Sequence, residues 1–260
     1  MILYYSLTGN TANAANIIAD VLKDELRSAR TCMEKGETSL YSETLFVICA
    51  PTFYMNVPKE FLSFLRSCNF EGSEEAAVVL TASYSAGNAA AAIKEILREK
   101  GLRLLISVAF YPASSKIVGV TYPSAESAEK LNARMQREVT HFAELFAARQ
   151  PIQATGSSFV GLVGTVLGNA VQLKRSDKAF FATDDCIACG KCVEICPRAN
   201  VVLENGRPKF LGNCNHCSAC VQVCPKACLQ YGKRTLTRAR RFLDIPDKAA
   251  EDKIFDLPKE

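Results

Sequence analysis

The sequence predicts an α/β fold: a doubly wound, five-stranded parallel sheet, followed by a small α+β domain. Within the first 150 residues, short apolar runs alternate with helical patterns, as buried parallel strands and their connecting helices do. Polar turns follow these runs. The last third of the 260-residue chain holds eight of its 12 cysteines, which separates it from the α/β part.

Four apolar runs are predicted as strands because a parallel sheet is buried on both faces. They are residues 2–6, 45–50, 77–82 and 104–110, and a fifth, weakly marked strand is expected near residues 29–33. Helices are predicted over 11–27, 58–68, 88–100 and 124–149. Pro58 suits a first helical turn and Gly101 a helix stop.

The turn after the first strand combines hydroxyls and a glycine with a helix N-terminus, which favours a phosphate group. Its residues are Ser6, Leu7, Thr8, Gly9, Asn10 and Thr11. The turn has no lysine and therefore differs from the P-loop of nucleotide hydrolases. It resembles the phosphate loop of flavodoxins, although an ordinary N-capped helix start has a similar sequence.

Two further turns follow the next strands, at the edge where an open α/β sheet binds its ligand. The first contains Pro51, Thr52, Phe53, Tyr54, Met55 and Asn56, and the second contains Ser83, Tyr84, Ser85, Gly87 and Asn88. In flavodoxin-like proteins such turns hold the flavin ring, and the resemblance implies FMN here. Phe53, Tyr54 and Tyr84 are candidates to stack on the ring, with ordinary loop packing as the alternative.

The pattern C-x-x-C-x-x-C-x-x-x-C-P occurs twice, with the second copy 28 positions after the first. The first run contains Cys186, Cys189, Cys192 and Cys196, and the second contains Cys214, Cys217, Cys220 and Cys224. Zinc ribbons space their cysteine pairs more widely, and a disulfide framework would not require two identical runs. The runs resemble those of bacterial ferredoxins with two [4Fe-4S] clusters.

That resemblance implies crossed ligation, in which the fourth cysteine of each run binds the cluster of the other run. One cluster is then expected on Cys186, Cys189, Cys192 and Cys224, and the other on Cys214, Cys217, Cys220 and Cys196. Cys228, Cys32, Cys49 and Cys68 are expected to be small buried residues. His216, inside the second run, is expected to be a hydrogen-bonding or exposed neighbour of a cluster.

Taken together, the loops, the cysteine runs and the segments KAFFATDDC, ENGRPKF and KRTLTRARRF resemble the flavodoxin/ferredoxin fusions called EFR-family ferredoxins. The implied domains are a flavodoxin-like FMN domain (1–150), an apolar linker helix (151–176), a two-cluster ferredoxin domain (177–232) and a basic extension (233–260). The linker is expected to pack between the domains and not to insert into a membrane. The basic extension is expected to be solvated, or to dock an acidic redox partner.

Cluster thiolates require a reducing compartment, and the opening MILYYS does not resemble a signal peptide, so a cytoplasmic protein is expected. A formal net charge of +4 without an aromatic platform does not favour nucleic-acid binding. A flavin and clusters in one chain favour an electron-transfer protein that serves redox partner proteins. Two alternatives stay open: a flavin-dependent reductase of a small molecule, and a redox-sensing regulator.

Overall fold

The computed structural model describes residues 1–116, 122–152, 177–238 and 240–241. Its main sheet contains five parallel strands in the order β2-β1-β4-β6-β7. These strands are β1 (Ile2–Tyr4), β2 (Leu26–Ser28), β4 (Phe46–Pro51), β6 (Glu75–Thr81) and β7 (Arg103–Phe110). The predicted five-stranded α/β sheet is therefore confirmed.

Helices cover both faces of the sheet: α1 (Asn10–Leu22), α2 (Ala29–Lys35), α3 (Lys59–Ser67), α4 (Ala89–Glu99) and α5 (Ala125–Ala147). Successive side chains of a strand point to opposite faces. Leu3 therefore packs with Phe61 of α3 and Ile93 of α4, in one core. Ile2 belongs to a second core with Ile18 of α1 and Val139 of α5. The apolar runs are buried on both sides, as a doubly wound sheet requires.

The strand predicted near residues 29–33 is wrong, because the structure places a helix there. The hydroxyl of Ser28 accepts a hydrogen bond from the Thr31 amide and caps α2, which ends at Gly36 in a left-handed conformation (φ 69°). The strand itself lies just before this cap, where Leu26 pairs with Ile2. The helix predicted over 11–27 accordingly ends at Leu22.

A second, two-stranded parallel sheet was not predicted. It pairs β3 (Ser39–Ser42) with β5 (Asn69–Gly72). These strands flank β4 and α3 in the sequence and are largely exposed, apart from Leu40 and Ser42. Their polar composition explains why no apolar run marks them.

The cysteine-rich part is built from two strand pairs and two single-turn helices. Strand β8 (Phe180–Ala182) pairs antiparallel with β11 (Leu229–Tyr231), and β9 (Val201–Glu204) pairs with β10 (Arg207–Phe210). The turn of the β9–β10 hairpin, Asn205 and Gly206, has positive φ at both residues, as a two-residue type I′ turn requires. Helices α6 (Lys191–Glu194) and α7 (Ala219–Gln222) each carry the third cysteine of a run.

All but the first two residues of the predicted linker helix (151–176), including the apolar segment 156–173, lie outside the described residues. Within the described part of the chain, none of the helices combines the length and apolarity needed to cross a membrane.

Candidate functional site

The loops that follow β1, β4, β6 and β7 enclose a cleft of about 480 Å³ at the carboxyl edge of the main sheet, which we call the loop cleft. The lining residues are Ser6, Leu7, Thr8, Asn10, Thr11, Pro51, Thr52, Phe53, Thr81, Ala82, Ser83, Pro112, Ser115, Lys116 and Cys217. The structure therefore brings together residues of all three predicted loops.

In the first loop, a left-handed glycine turns the chain into α1. Gly9 has φ 91° and occupies the N-cap position, where a side chain would be strained. The Thr8 hydroxyl lies 2.6 Å from the Ser115 hydroxyl, and the Thr11 hydroxyl lies 2.7 Å from that of Thr81. Both threonines are buried, so the neighbouring loops hold their hydroxyls at the start of α1.

The second loop is a tight turn whose two central residues, Tyr54 and Met55, have φ values of 53° and 62°. Residues other than glycine rarely adopt this left-handed backbone conformation, and those that do are often found at ligand-binding sites. The turn is closed by backbone hydrogen bonds between Phe53 and Asn56, of 2.8 and 3.1 Å. Phe53 lines the loop cleft, whereas the ring of Tyr54 faces Lys116, whose Nζ lies 2.9 Å from the ring centroid.

Only Ser83 of the third predicted loop lines the cleft, and its hydroxyl donates to that of Ser114 at 2.9 Å. Tyr84 is 63% exposed and is not among the lining residues. Several other predicted residues likewise belong to these loops without lining the cleft: Gly9, Tyr54, Met55, Asn56, Ser85, Gly87 and Asn88.

Sequence reasoning missed the fourth loop, residues 112–116 after β7, which supplies Pro112, Ser115 and Lys116 to the cleft. It also missed that Thr81, Ala82 and Cys217 line the cleft. The signal for the fourth loop was present, because a run of small polar residues follows a buried strand at the same sheet edge. Lys116 brings a cationic side chain to a cleft whose first loop has none.

The structure gathers the eight run cysteines around two cavities, and each cavity takes one cysteine from the other run. The first cysteine cavity is lined by Cys186, Cys189, Cys192 and Cys224, and the second by Cys196, Cys214, Cys217 and Cys220. This is the crossed grouping that the ferredoxin pattern implies. Among the described residues, no three His, Cys, Asp or Glu side chains are close enough to hold a single metal ion.

The chemistry of these sulfurs fits a cationic iron cluster. Burial first, and then the neighbouring Cys214 and Cys196, raise the pKa of the Cys217 thiol to about 12. In the first cavity, burial, and then the charge of the neighbouring Cys189, raise the pKa of the Cys192 thiol to about 11. Thiolates packed in this way require a cation between them. The backbone amides of His216 and Asn200 donate to Cys214 Sγ and Cys196 Sγ at 3.2 and 3.3 Å, which stabilises negative charge on sulfur.

The 28-residue sequence repeat is also a conformational repeat. Left-handed residues recur at matching positions of the two runs: Ala188 and His216, Gly190 and Ser218, and Ala199 and Ala227. The same backbone path therefore wraps each cavity. His216 is fully buried and packs against Phe180 and Tyr231, so it is not an exposed neighbour.

Cys228 is buried, as predicted, but it also lines the first cysteine cavity. Its sulfur lies 3.3 Å from Cys224 Sγ. Cys32, Cys49 and Cys68 are buried within the cores of the main sheet, as predicted.

Cys217 lines both the loop cleft and the second cysteine cavity, so the two sites share a wall. A polar junction holds them together. The Glu60 carboxylate, at the start of α3, accepts hydrogen bonds from Asn215 Nδ2 at 3.0 Å and from Tyr5 Oη at 3.2 Å. Arg198 lies 3.9 Å from the same carboxylate. Asn215 and Arg198 both flank cysteines of the second cavity.

Two arginines of the basic extension, Arg240 and Arg241, contact the folded domains, so these two side chains are not fully solvated as expected. Arg240 donates to the carbonyls of Ala227 and Leu229 at 2.8 and 3.1 Å. Arg241 lies 4.1 Å above the Tyr122 ring and donates to the Pro123 carbonyl.

Comparison with known families identifies one domain in the first part of the chain and one in the cysteine-rich part. Residues 2–129 match the flavodoxin family model, and residues 179–199 match the 4Fe-4S binding domain model. The chain therefore carries a flavodoxin domain followed by a 4Fe-4S ferredoxin domain. It is a flavodoxin/ferredoxin fusion, and its domains imply FMN, a [4Fe-4S] cluster and a role in electron transfer or redox chemistry.

Solved structures with similar folds include a flavodoxin from the domain Archaea, with 17% identity over 55% of this chain and 97% of that one (TM-score 0.31). A Lactobacillus acidophilus flavoprotein in complex with FMN is 18% identical over 42% and 89% of the two chains (TM-score 0.31). Rubredoxin oxygen:oxidoreductase from Desulfovibrio gigas is 15% identical over 55% of this chain but only 35% of its own length (TM-score 0.34). No curated protein matches the chain.

Proposed function

We propose that this chain relays electrons between FMN in the loop cleft, two [4Fe-4S] clusters and redox partner proteins. One observation carries the proposal: Cys217 lines both the loop cleft and the second cysteine cavity. A proposed cluster ligand in the wall of the proposed flavin site makes the two cofactor sites neighbours. When bound, FMN exchanges electrons singly or in pairs, whereas each cluster passes one at a time.

The proposed ligands of the buried cluster are Cys196, Cys214, Cys217 and Cys220, and those of the outer cluster are Cys186, Cys189, Cys192 and Cys224. Cys217 and Cys220 are each 8% exposed, whereas Cys189 is exposed and its neighbour Ile187 is 56% exposed. Of the eight run cysteines, Cys189 in the first cysteine cavity is therefore the most exposed. We place the exchange with partner proteins at that cavity, and the exchange with the flavin at the second.

In the loop cleft, Thr8 and Thr11 are the proposed phosphate contacts, at the amide end of α1. Of the three aromatic candidates, Phe53 is the one that lines the cleft, and it is the proposed ring contact. The carboxyl ends of the parallel strands supply these loops, so the sheet fixes their spacing.

The test follows electrons within the intact chain. Anaerobic protein carrying flavin and clusters is mixed with less than one equivalent of dithionite in a stopped-flow instrument, and flavin and cluster absorbance are recorded separately. We expect cluster reduction first, followed by flavin reduction at a rate that does not depend on protein concentration. A flavin rate proportional to protein concentration would mean that electrons pass between molecules and that the two domains serve separate partners.

The alternative of a small-molecule reductase makes a different prediction in the same instrument. Steady oxidation of the reduced chain by a small acceptor, abolished by Phe53→Ala while cluster reduction survives, would favour an enzyme over a carrier.

A further inference from the structure

Gln222 makes a second contact between the two domains, apart from the Glu60 junction. It lies in α7, between Cys220 and Cys224, and is only 2% exposed. Its side-chain amide donates to the backbone carbonyl of Ser115 and lies 3.4 Å from Tyr122 Oη. Its carbonyl oxygen accepts from the Arg241 amide at 2.5 Å. A buried glutamine with both ends engaged is costly to displace.

Ser115 connects this glutamine to the loop cleft. It belongs to the fourth loop, and its hydroxyl lies 2.6 Å from that of Thr8, in the first loop. Asn10 Nδ2, also in the first loop, donates a hydrogen bond of 3.0 Å to the Ala113 carbonyl of the fourth loop. A continuous set of hydrogen bonds thus runs from the turn that carries Cys220 to the loop proposed to hold the phosphate.

The fourth loop contains no helix or regular strand over residues 111–116, so few backbone hydrogen bonds of its own fix its position. Side-chain contacts from neighbouring elements must supply that order. Within the flavodoxin domain, Asn132 Oδ1 accepts from the Ala113 amide at 2.9 Å, and the Ser83 hydroxyl contacts Ser114. From the iron–sulfur domain, Gln222 alone among the described residues donates to the Ser115 carbonyl.

We propose that Gln222 is a positioning residue through which the iron–sulfur domain orders the fourth loop and thereby strengthens FMN binding. The inference rests on the proposed occupation of the loop cleft by FMN. Its consequence is reciprocal, because two sites coupled through one element must affect each other equally in binding free energy. Bound FMN should therefore slow the loss of iron from the iron–sulfur domain, and that domain should in turn strengthen FMN binding.

The test compares two buried glutamines of the same domain. Gln222→Leu removes the contact with Ser115. Gln230→Leu is the matched control, because Gln230 is 3% exposed and its side chain hydrogen-bonds with Ala227 and Thr235 of its own domain. FMN dissociation constants are measured by flavin fluorescence on cluster-loaded, flavin-stripped full-length chains with equal iron content. We expect Gln222→Leu to weaken binding about 2- to 10-fold, the effect of one hydrogen bond, and Gln230→Leu to leave it unchanged.

A second measurement keeps the inference testable if Gln222→Leu assembles poorly. Iron release to a chelator is followed with and without FMN. We expect FMN to slow release in the wild type and in Gln230→Leu, and to slow it less in Gln222→Leu. Equal FMN affinity in all three proteins, or equal weakening by both substitutions, would overturn the role of Gln222. Failure of the wild type itself to bind FMN would instead overturn the proposed function, and the coupling with it.

Discussion

Replacing Glu60 by alanine should loosen the junction between the flavodoxin domain and the second cysteine cavity. The carboxylate is 15% exposed and accepts hydrogen bonds from Asn215 and Tyr5. Tyr5 is 1% exposed, and burial followed by the charge of Glu60 raises the pKa of its hydroxyl well above the ordinary value. That hydroxyl therefore stays protonated and needs an acceptor.

The magnitude follows from these contacts. A hydrogen bond to a charged group contributes about 1.5–3 kcal/mol, and a buried hydroxyl without a partner costs about 1–3 kcal/mol. The ion pair with Arg198, at 3.9 Å and with the arginine 30% exposed, adds about 1 kcal/mol or less. Because these terms share one side chain and do not simply add, we expect a loss of about 3 kcal/mol. That loss lowers the thermal midpoint by about 6–12 °C for a domain of this size.

The assay is differential scanning calorimetry of the full chain under anaerobic conditions. Glu60→Gln is the control, because its amide oxygen can still accept from Asn215 or Tyr5 while the attraction to Arg198 is lost. It should lower the midpoint by about 4 °C or less. Equal midpoints for Glu60→Ala and Glu60→Gln, or an unchanged midpoint in Glu60→Ala, would refute the reasoning.

Three further predictions concern the cofactors and the core. Anaerobically prepared chain should carry about eight irons and eight sulfides. Cys224→Ala should leave only the buried cluster and Cys196→Ala only the outer one, so a chelator should strip iron faster from Cys196→Ala. Faster stripping from Cys224→Ala would contradict crossed ligation. Thr8→Ala should weaken FMN binding about 10- to 100-fold in a fluorescence titration, since a hydrogen bond to a charged phosphate is lost, whereas Thr44→Ala, at an exposed site outside the cleft, should not. Burial raises the pKa of the Cys68 thiol from 9.0 to about 12, so above pH 9 the thiol stays neutral in the folded chain but ionises in the unfolded chain. The free energy of unfolding should therefore fall more steeply between pH 9 and 12 in the wild type than in Cys68→Ala. Urea midpoints measured across this pH range would test the difference.

Local sequence patterns were sufficient to predict the main sheet and the groups of chemistry-bearing residues. A strand such as Phe46–Pro51 is apolar on both faces and can lie only inside a parallel sheet. The cysteine runs owe their spacing to one tight turn, whose left-handed positions recur in both copies. Phe53 and Ser83 were accessible to prediction for a related reason, because the carboxyl ends of parallel strands must share an edge.

The weak strand was misplaced for a local reason that the apolar pattern does not contain. Ser28 caps the helix Ala29–Lys35, so the strand ends before the residues that were assigned to it. Tyr84 lies in a predicted flavin loop but is 63% exposed and does not line the loop cleft, so its contact with the flavin ring stays a prediction. The direction of a loop side chain depends on neighbours that are distant in sequence.

The sequence by itself determined two domains, their sheet and their cysteine runs, because each of these follows from residues close together in the chain. Only the tertiary structure decided how the domains meet. Cys217 in the wall of the loop cleft, Glu60 against Asn215 and Gln222 against Ser115 join residues more than 100 positions apart. No periodicity or spacing encodes such pairs, because they depend on surface shape and charge after both domains have folded. For the same reason, the route proposed for electrons is a property of the assembled chain.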